Sequence, residues 1–472
     1  MYKRGPFYWT RMGKKYLLTN DLGRFIYLSE NEFSDFLSGT LEDTDPILSA
    51  LQDRGFLYFA DAQEYVQRWA GEFAVMKECA FSATQLFILV LTNACNQRCV
   101  YCQAGADGIH GTMDIQTCKK AVDIAAQSPV NHITIEFQGG EPTLNAPVLR
   151  FAIPYAKEIF ARHGKRVDFA LVTNFTSVNA EMLHWLVCED VHISTSFDGP
   201  EALHNANRPL TMGKGSFVPW RQGVIQYQKI LAESKKPIRL NAIQTTTRNS
   251  LSYPKEIVEE YLRNGMNRLY VRPLTPLGCA AERWNEIGYN AEEYLHFYRT
   301  LLDYTMEKCL SGTYVCETTA SIYLTRILCN ESVGHTEHRS PCGGAIGQMA
   351  VNFDGKVYTC DEARMLANMG DDLFLLGTVD DSYNELISAP AAHAVCTASC
   401  VEALPYCQNC AYVPYCSVCP VVTYGLEQDL ISHDAQNYRC TIAKGILDHL
   451  FAMIYRDNPE EMRILQRWAE EG

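Results

Sequence analysis

The sequence predicts an α/β fold: a partial (β/α)6, TIM-like barrel with a small mixed module before it and a cysteine-rich region after it. Three observations carry this. Between residues 85 and 273, six strand-like runs (QLFILVLT, HITIEF, VDFALVT, VHISTSF, IRLNAIQTT and RLYVRPL) alternate with helical patterns such as 115–126 and 146–161. Such alternation builds a parallel sheet with helical crossovers. Six units fall short of a complete eight-stranded barrel. The third observation is a change of character at each end: short strands and helices before residue 70, and crowded cysteines and turns after residue 340.

At the N-terminus, YLLTN and RFIYLS are strand-like and joined by the turn signal Asp21-Leu22-Gly23. Helical spacing follows over 30–37 and 45–53, then the strand GFLYFA. Residues 1–70 therefore suit a winged-helix-like module, and 61–80 read as a connecting helix whose end, 71–84, links to the barrel (85–339). Residues 340–442 form the cysteine-rich region, which has little core of its own and needs metals or disulfides to order it. Residues 443–472 are helical, the last helix opening on Asn458 as cap, Pro459 in the first turn and Glu461 at the third position.

Bulk properties narrow the function. The net charge of −14 argues against nucleic acid. No apolar run is long enough to span a membrane, and MYKRGPFYWTRMGKK has no apolar signal core. A cytoplasmic chain with 19 cysteines favours metal or redox chemistry over disulfides.

The stretch LTNACNQRCVYCQAG follows the first barrel strand and places Cys95, Cys99 and Cys102 in C-x3-C-x2-C spacing. A cubane iron–sulfur cluster normally takes four thiolates. Three thiolates leave one iron open, and an open position on a metal is where a ligand reacts. Chance gives such a triplet with odds of roughly 0.03, so the downstream residues decide. Functional residues belong at the carboxyl ends of the strands. The second strand ends in FQGGEPTLN, where Gly139 and Gly140 permit close approach to a ligand, Glu141 adds an acceptor and Pro142 fixes the turn. Asn174 tips the third strand. Ser194, Ser196 and Asp198 end the fourth, followed by His204 and Arg208. A hydroxyl and an amide suit ribose, and a guanidinium suits a carboxylate.

Further cysteines follow. Cys342, Gly355 and Cys360 precede Cys407, Cys410, Cys416 and Cys419 in C-x2-C-x5-C-x2-C spacing, and then Cys440. The four-cysteine run has chance odds of about one in a thousand. Two C-x2-C pairs also suit a tetrahedral zinc site. Cys396 and Cys400 lie outside this set. Cys79, Cys118, Cys188, Cys279, Cys309 and Cys316 are scattered and read as core residues.

The ordered set CNQRCVYC, GGEP, TN, SFDGP with His204 and Arg208, and GKGSF, spanning 85–275, resembles the radical S-adenosylmethionine (SAM) enzymes. By that resemblance Cys95, Cys99 and Cys102 hold a [4Fe-4S] cluster whose open iron is chelated by SAM. The Gly139–Glu141 loop then holds the SAM amino group, with Asn174 and Ser196 at the ribose, Arg208 at the carboxylate and Tyr101 near the adenine. Reductive cleavage yields a 5′-deoxyadenosyl radical that abstracts hydrogen from the substrate. The C-terminal cysteines resemble a SPASM domain, implying two auxiliary [4Fe-4S] clusters, one on Cys407, Cys410, Cys416 and Cys440 and one on Cys342, Cys360 and Cys419. The family run ends C-x3-C where this one ends C-x2-C, and the last cluster's fourth ligand is either Cys329 or an open site. Asp361, directly after Cys360, matches an acid that acts as a base in sulfatase-maturing relatives, with Glu362 second.

The N-terminal pattern resembles the element that grips leader peptides, and the whole chain, including PCGGAIGQMAVNFDGKVYTCDEARML, is similar to His-Xaa-Ser system maturases. The resemblance implies a precursor peptide bound through residues 1–70, a crosslink such as a carbon–carbon cyclophane bond or a thioether, and an electron donor such as flavodoxin or ferredoxin. A sulfatase-type maturase forming formylglycine and a non-catalytic iron–sulfur sensor are the competing readings.

Overall fold

The computed structural model describes residues 2–42, 44–59, 61–81, 83–104, 111–237, 240–331, 336–434 and 436–471, with the side chains of Cys79 and Phe81 outside that set. The expected strand IRLNAIQTT therefore begins outside the described residues, and so does the side-chain placement of Cys79.

The N-terminal module holds β1 (Lys3–Arg4), β2 (Tyr8–Met12), β3 (Lys15–Thr19), β4 (Phe25–Ser29) and β5 (Leu57–Tyr58). Strands β2–β3–β4 form an antiparallel sheet, and β1 pairs with β5. Helices Glu30–Ser38 and Pro46–Asp53 lie where the periodicity puts them, the first closed by a Ser29/Glu32 capping box. Strand β2 was not expected, because YWTRM mixes aromatic, hydroxyl and charged residues without clean alternation. The sheet is covered on both faces. On one face Leu18, Ile26 and Leu28 pack with Phe33 and Phe36 as a small core. On the other, Thr19 Oγ1 donates to Ala411 O (2.6 Å), Tyr27 OH donates to Phe451 O (2.8 Å) and Phe25 meets the Phe451 ring edge-on. The module is thus docked onto the C-terminal region, through contacts far away in sequence.

Helix Ala62–Lys77 leads into β6 (Leu86–Thr92), β7 (His132–Gly139), β8 (Arg166–Thr173), β9 (Val191–Ser196), β10 (Asn241–Thr245) and β11 (Arg268–Arg272). These six are parallel and adjacent in chain order, as the alternation implies. Their helices cover one face, where Leu89, Ile135, Leu171 and Ile193 meet Val122, Ile153, Leu186 and Val224. The sheet is open rather than closed. Strand β12 (Cys316–Glu317) extends it past β11. On the other side β13 (Gln348–Val351) lies parallel to β6, followed by antiparallel β14 (Lys356–Tyr358) and β15 (Leu375–Thr378).

The cysteine-rich region is therefore not set apart from the barrel, since its first strands continue the same sheet. All four residues of β13 are buried. Buried runs this short carry no period to read. The last helix is Pro459–Glu470, and Asn458 Oδ1 accepts from Glu460 N and Glu461 N. Among the described residues no helix is long and apolar enough to cross a membrane.

Candidate active site and cysteine clusters

The loop carrying Cys95, Cys99 and Cys102 leaves the carboxyl end of β6 and is fastened on several sides. Arg98 N donates to Pro209 O (2.8 Å), Val100 N to Asn207 O (2.9 Å), Thr211 N to Asn96 O (3.0 Å) and Cys279 N to Cys102 O (3.1 Å). Asn174 Nδ2 donates to Asn96 Oδ1 (2.8 Å) and lies 3.8 Å from Cys95 Sγ. Burial pushes the Cys95 thiol up and the Cys99 thiol to about 12. Such thiols become thiolates when a metal binds and releases their protons.

The two glycines at the end of β7 meet protein backbone. A Cβ on Gly139 would stand 2.1 Å from Thr92 O, and one on Gly140 2.4 Å from Ala94 O. Gly140 N and Glu141 N donate to those same carbonyls, at 2.8 and 2.9 Å. Glu141 is fully buried. Its carboxylate accepts from Thr143 Oγ1 (2.6 Å), Thr173 Oγ1 (2.8 Å), Asn174 N (2.8 Å) and Thr143 N (3.2 Å). Three of those donors go to Oε1 and one to Oε2, so the carboxylate ties the tip of β7 to Thr173 and Asn174 at the tip of β8. Pro142 is buried at the start of a short 3-10 turn. The Gly139–Gly140 backbone is this loop's face toward the cleft.

A cleft of about 220 Å³ opens at these strand ends. Cys95, Cys99, Cys102, Tyr101, Gly139, Gly140, Asn174, Ser196 and Arg208 all line it. Tyr101 OH donates to Asp198 Oδ2 (2.8 Å) and accepts from Arg208 Nη1 (2.5 Å). Arg208 Nη2 donates to Gln97 Oε1 (3.3 Å). Burial raises the Asp198 pKa, and Arg208 opposes the shift. Arg208 Nε and Gln97 Nε2 are buried with no hydrogen-bond partner among the described residues. His204 lies outside the cleft lining; burial holds it neutral, well below the usual imidazole range.

Several lining residues were not singled out from sequence: Gln97, Gln138, Thr245, Arg272, Thr275 and Met365. Gln138, Thr245 and Arg272 sit at the carboxyl ends of β7, β10 and β11, so the strand-end rule applied to every strand would have found them. Arg272 Nη2 pairs with Glu337 Oε2 at 2.7 Å and stands 3.7 Å from Glu362 Oε1.

The two expected acids part company. Asp361 Oδ1 accepts from both Nε (2.9 Å) and Nη2 (2.7 Å) of the buried Arg364 and is absent from the cleft lining. Glu362 lines the cleft, and burial followed by the Glu337 charge raises its pKa to about 7.

A second cavity, of about 90 Å³, is walled by Cys407, Cys410, Cys416, Cys419 and Cys440. Cys440 opens helix Tyr438–Tyr455, whose cap Asn437 accepts from Cys440 N at 2.8 Å. That places a thiol at a helix N-terminus, where negative charge is favoured. Cys342 and Cys360 are buried in one apolar cluster with Cys419 at its margin. Cys419 thus stands between the two sets, walling the second cavity and bordering the cluster that holds Cys342 and Cys360. Cys329 instead accepts from Gln466 Nε2 (3.9 Å) on the last helix, away from those three. Cys396 and Cys400 line neither cavity, and Cys400 Sγ donates to Cys396 O (3.3 Å). Cys118 and Cys316 are core residues, whereas Cys188 is exposed and Cys279 and Cys309 are half-buried. Among the described residues no three His, Cys, Asp or Glu side chains gather closely around a single point, in the Cys95–Cys102 loop and in the C-terminal sets alike.

The donor set fits SAM on a three-thiolate cluster. Three thiols share one cleft with two buried donors, unpartnered among the described residues and suited to an anionic group, and glycine backbone forms part of its wall. The radical SAM superfamily model matches residues 89–229, from β6 through helix Phe217–Glu233. An uncharacterized protein of Methanothermobacter thermautotrophicus is 30% identical over 216 residues, covering 45% of this chain and 76% of that protein.

The chain belongs to the radical SAM superfamily.

An uncharacterized protein of Methanocaldococcus jannaschii is 29% identical over 189 residues, 40% of this radical SAM chain and 62% of that protein, so the match spans less than two thirds of that relative. The cysteine-type anaerobic sulfatase-maturating enzyme of Clostridium perfringens is 24% identical over 286 residues, 58% of this chain and 74% of that enzyme. Two solved structures share the fold. Native anSMEcpe with bound AdoMet superposes with a TM-score of 0.66 at 21% identity, covering 81% of this chain and 99% of that one. Streptococcus suis SuiB bound to precursor peptide SuiA gives 0.53 at 12%, covering 92% and 99%.

Proposed function

We propose that this radical SAM enzyme is a maturase of a ribosomally made precursor peptide, similar to the His-Xaa-Ser system maturases. Residues 2–70 hold the leader, and the segment to be modified enters the cleft. The observation that carries the reading is the N-terminal sheet. Among the described residues its strand β2 pairs only with β3, which leaves one backbone edge open there. Trp9 on that edge strand is 49% exposed and packs against Tyr16 and Phe33. An extended leader adds a strand at such an edge and places alternate side chains against the aromatic group. The SuiB structure with a bound precursor peptide supports a peptide partner.

Cys95, Cys99 and Cys102 would hold the reactive [4Fe-4S] cluster, and Gly139, Gly140, Tyr101, Asn174, Ser196 and Arg208 would surround SAM. Together these groups supply, when bound, a 5′-deoxyadenosyl radical that removes a hydrogen atom from the substrate. Cys407, Cys410, Cys416 and Cys440 would hold one auxiliary [4Fe-4S] cluster, and Cys342, Cys360 and Cys419 the other. The chain's own residues do the rest. The Asp198–Tyr101–Arg208–Gln97 chain fixes an aromatic face and a guanidinium on the cleft wall. The cluster loop is pinned from β7, β8 and residues 207–211, so reacting groups are held in register. Crosslink formation removes two hydrogens net, one as an atom and one as a proton with an electron left over; Glu362, which lines the cleft, would accept the proton, and an auxiliary cluster on the cysteines named above would take the electron.

Deleting residues 2–70 should abolish modification of the full precursor while leaving SAM cleavage in place. Unchanged peptide turnover would refute leader recognition. A sulfatase-type maturase is the second reading, favoured by the likeness to the Clostridium enzyme. Mass spectrometry after incubation with the precursor or with a sulfatase peptide separates the two, a crosslink pointing to the first and formylglycine to the second.

A further inference from the structure

Two cysteines of the C-terminal region belong to neither proposed ligand set. Cys396 and Cys400 line neither cavity, and no third His, Cys, Asp or Glu side chain joins them around one point among the described residues. Cys396 lies in helix Pro390–Ala398, and Cys400 follows one turn later, just past the Ser399 cap. Side chains four residues apart on a helix share a face, with Cβ atoms about 5–6 Å apart. A disulfide needs Cβ atoms about 3.5–4.5 Å apart, so the gap to close is roughly 1–2 Å. Cys400 is free to close it, because its ψ of 89° has taken it out of the helix. Its Sγ donates to Cys396 O at 3.3 Å, so the sulfur leans back over the turn that holds Cys396. Both side chains are half-buried, within reach of a small oxidant. Burial raises both thiols, and the charge with most influence on Cys400 is that of Cys396. Thiols that ionise reluctantly are poor leaving groups, so a bridge between them, once formed, is slow to open.

The segment just past the helix is a strap. Ser399 is fully buried; its Oγ accepts from Cys342 N at 2.8 Å and donates to Val395 O at 2.7 Å. Val401 N donates to Ser340 Oγ (3.1 Å), and Ser340 Oγ donates to Glu402 Oε2 (2.7 Å). Glu402 also pairs with Lys77. Residues 399–402 therefore hold residues 340–342, far earlier in the chain. Movement of Cys400 toward Cys396 acts first on Ser399, which lies between them, and through it on the Cys342 amide.

We propose that Cys396 and Cys400 form a reversible disulfide site whose closure loosens the strap on Cys342. The oxidant is a small disulfide such as glutathione disulfide. One protein thiolate attacks it and releases one glutathione; the second protein thiol then attacks the mixed disulfide and releases the other. One S–S bond breaks and one forms overall. The two protein thiols lose two electrons and two protons, and the two glutathione thiols carry them away. The proposal is independent of the radical SAM assignment and of which peptide is modified.

The test uses reconstituted holoenzyme, held anaerobically with either reduced glutathione or glutathione disulfide. Cleavage after Glu385 and Glu402 releases residues 386–402, in which Cys396 and Cys400 are the only cysteines. After oxidation this peptide should be two hydrogens lighter and resist alkylation, and it should take up two alkyl groups once reduced. Hydrogen exchange at the Cys342 amide, read by mass spectrometry, should quicken about fivefold on oxidation, the equivalent of one net hydrogen bond, and return to its starting rate on reduction. Ser399→Ala should show the faster exchange in both redox states. Cys396→Ser and Cys400→Ser should each give a single glutathione adduct on this peptide in place of the bridge. Two glutathione adducts on the wild-type peptide, a bridge from either thiol to a third cysteine, or a bridge that leaves the Cys342 exchange rate unchanged overturns the proposal.

Discussion

Replacing Gly140 by Ala tests how tightly the active-site scaffold is built. The new Cβ would lie 2.4 Å from Ala94 O and 2.7 Å from Asn93 O, both backbone atoms that cannot rotate aside. Ordinary van der Waals contact begins at 3.4 Å, so the cluster loop and the β7 tip must separate by roughly 1 Å. Overpacking of this kind costs about 1–3 kcal/mol of stability. The functional cost is larger, because the displaced residues adjoin Cys95. A misplacement of about 1 Å at a reacting centre lowers the rate on the order of 100-fold. The assay is anaerobic reconstitution, iron analysis and the initial rate of 5′-deoxyadenosine release. Gly164→Ala is the control: its φ is +66° and no neighbouring heavy atom lies within 4 Å, so it carries backbone strain of about 1–2 kcal/mol without touching the site. A Gly140→Ala enzyme with wild-type iron content and rate would refute the reasoning that glycine is required there by backbone approach.

Tyr101→Phe removes the hydroxyl between Arg208 and the buried Asp198; SAM binding by equilibrium dialysis should weaken, and stability should fall by roughly 1–3 kcal/mol, with iron content unchanged. Cys329→Ser should leave the iron content at the wild-type value because this thiol faces the last helix, whereas Cys419→Ser, beside Cys342 and Cys360, should lower it. Asn437→Ala deletes the cap on Cys440 N, worth about 0.5–2 kcal/mol, and under the proposed ligation by Cys440 should speed loss of iron to a chelator.

How much of this was legible in the sequence depends on range. The six parallel strands show because each carries a long apolar run with a helical pattern after it, and the cluster loop shows because its cysteines lie within one short loop. Strand β13 did not show, since Gln348–Val351 is too brief to carry a period and gains its partner from β6, more than 250 residues earlier. The site residues most visible by type were placed less well. Glu141 reads as a free acceptor, but four protein donors take its carboxylate. Asp361 is paired with Arg364 one helical turn later, leaving Glu362 on the cleft. Such pairings depend on side-chain direction, which spacing does not reveal. Arg272 went unremarked because its role comes from Glu337 and Glu362, on segments far apart in the chain.

The central claim is that Cys95, Cys99 and Cys102 hold a cluster that opens SAM reductively. The most direct measurement is 5′-deoxyadenosine release by the reconstituted wild-type protein with SAM and dithionite, beside the Cys95→Ala variant. Release by wild type and none by the variant is the outcome this account predicts. Wild-type protein that takes up iron and releases none, or a variant that releases as much as wild type, would contradict it.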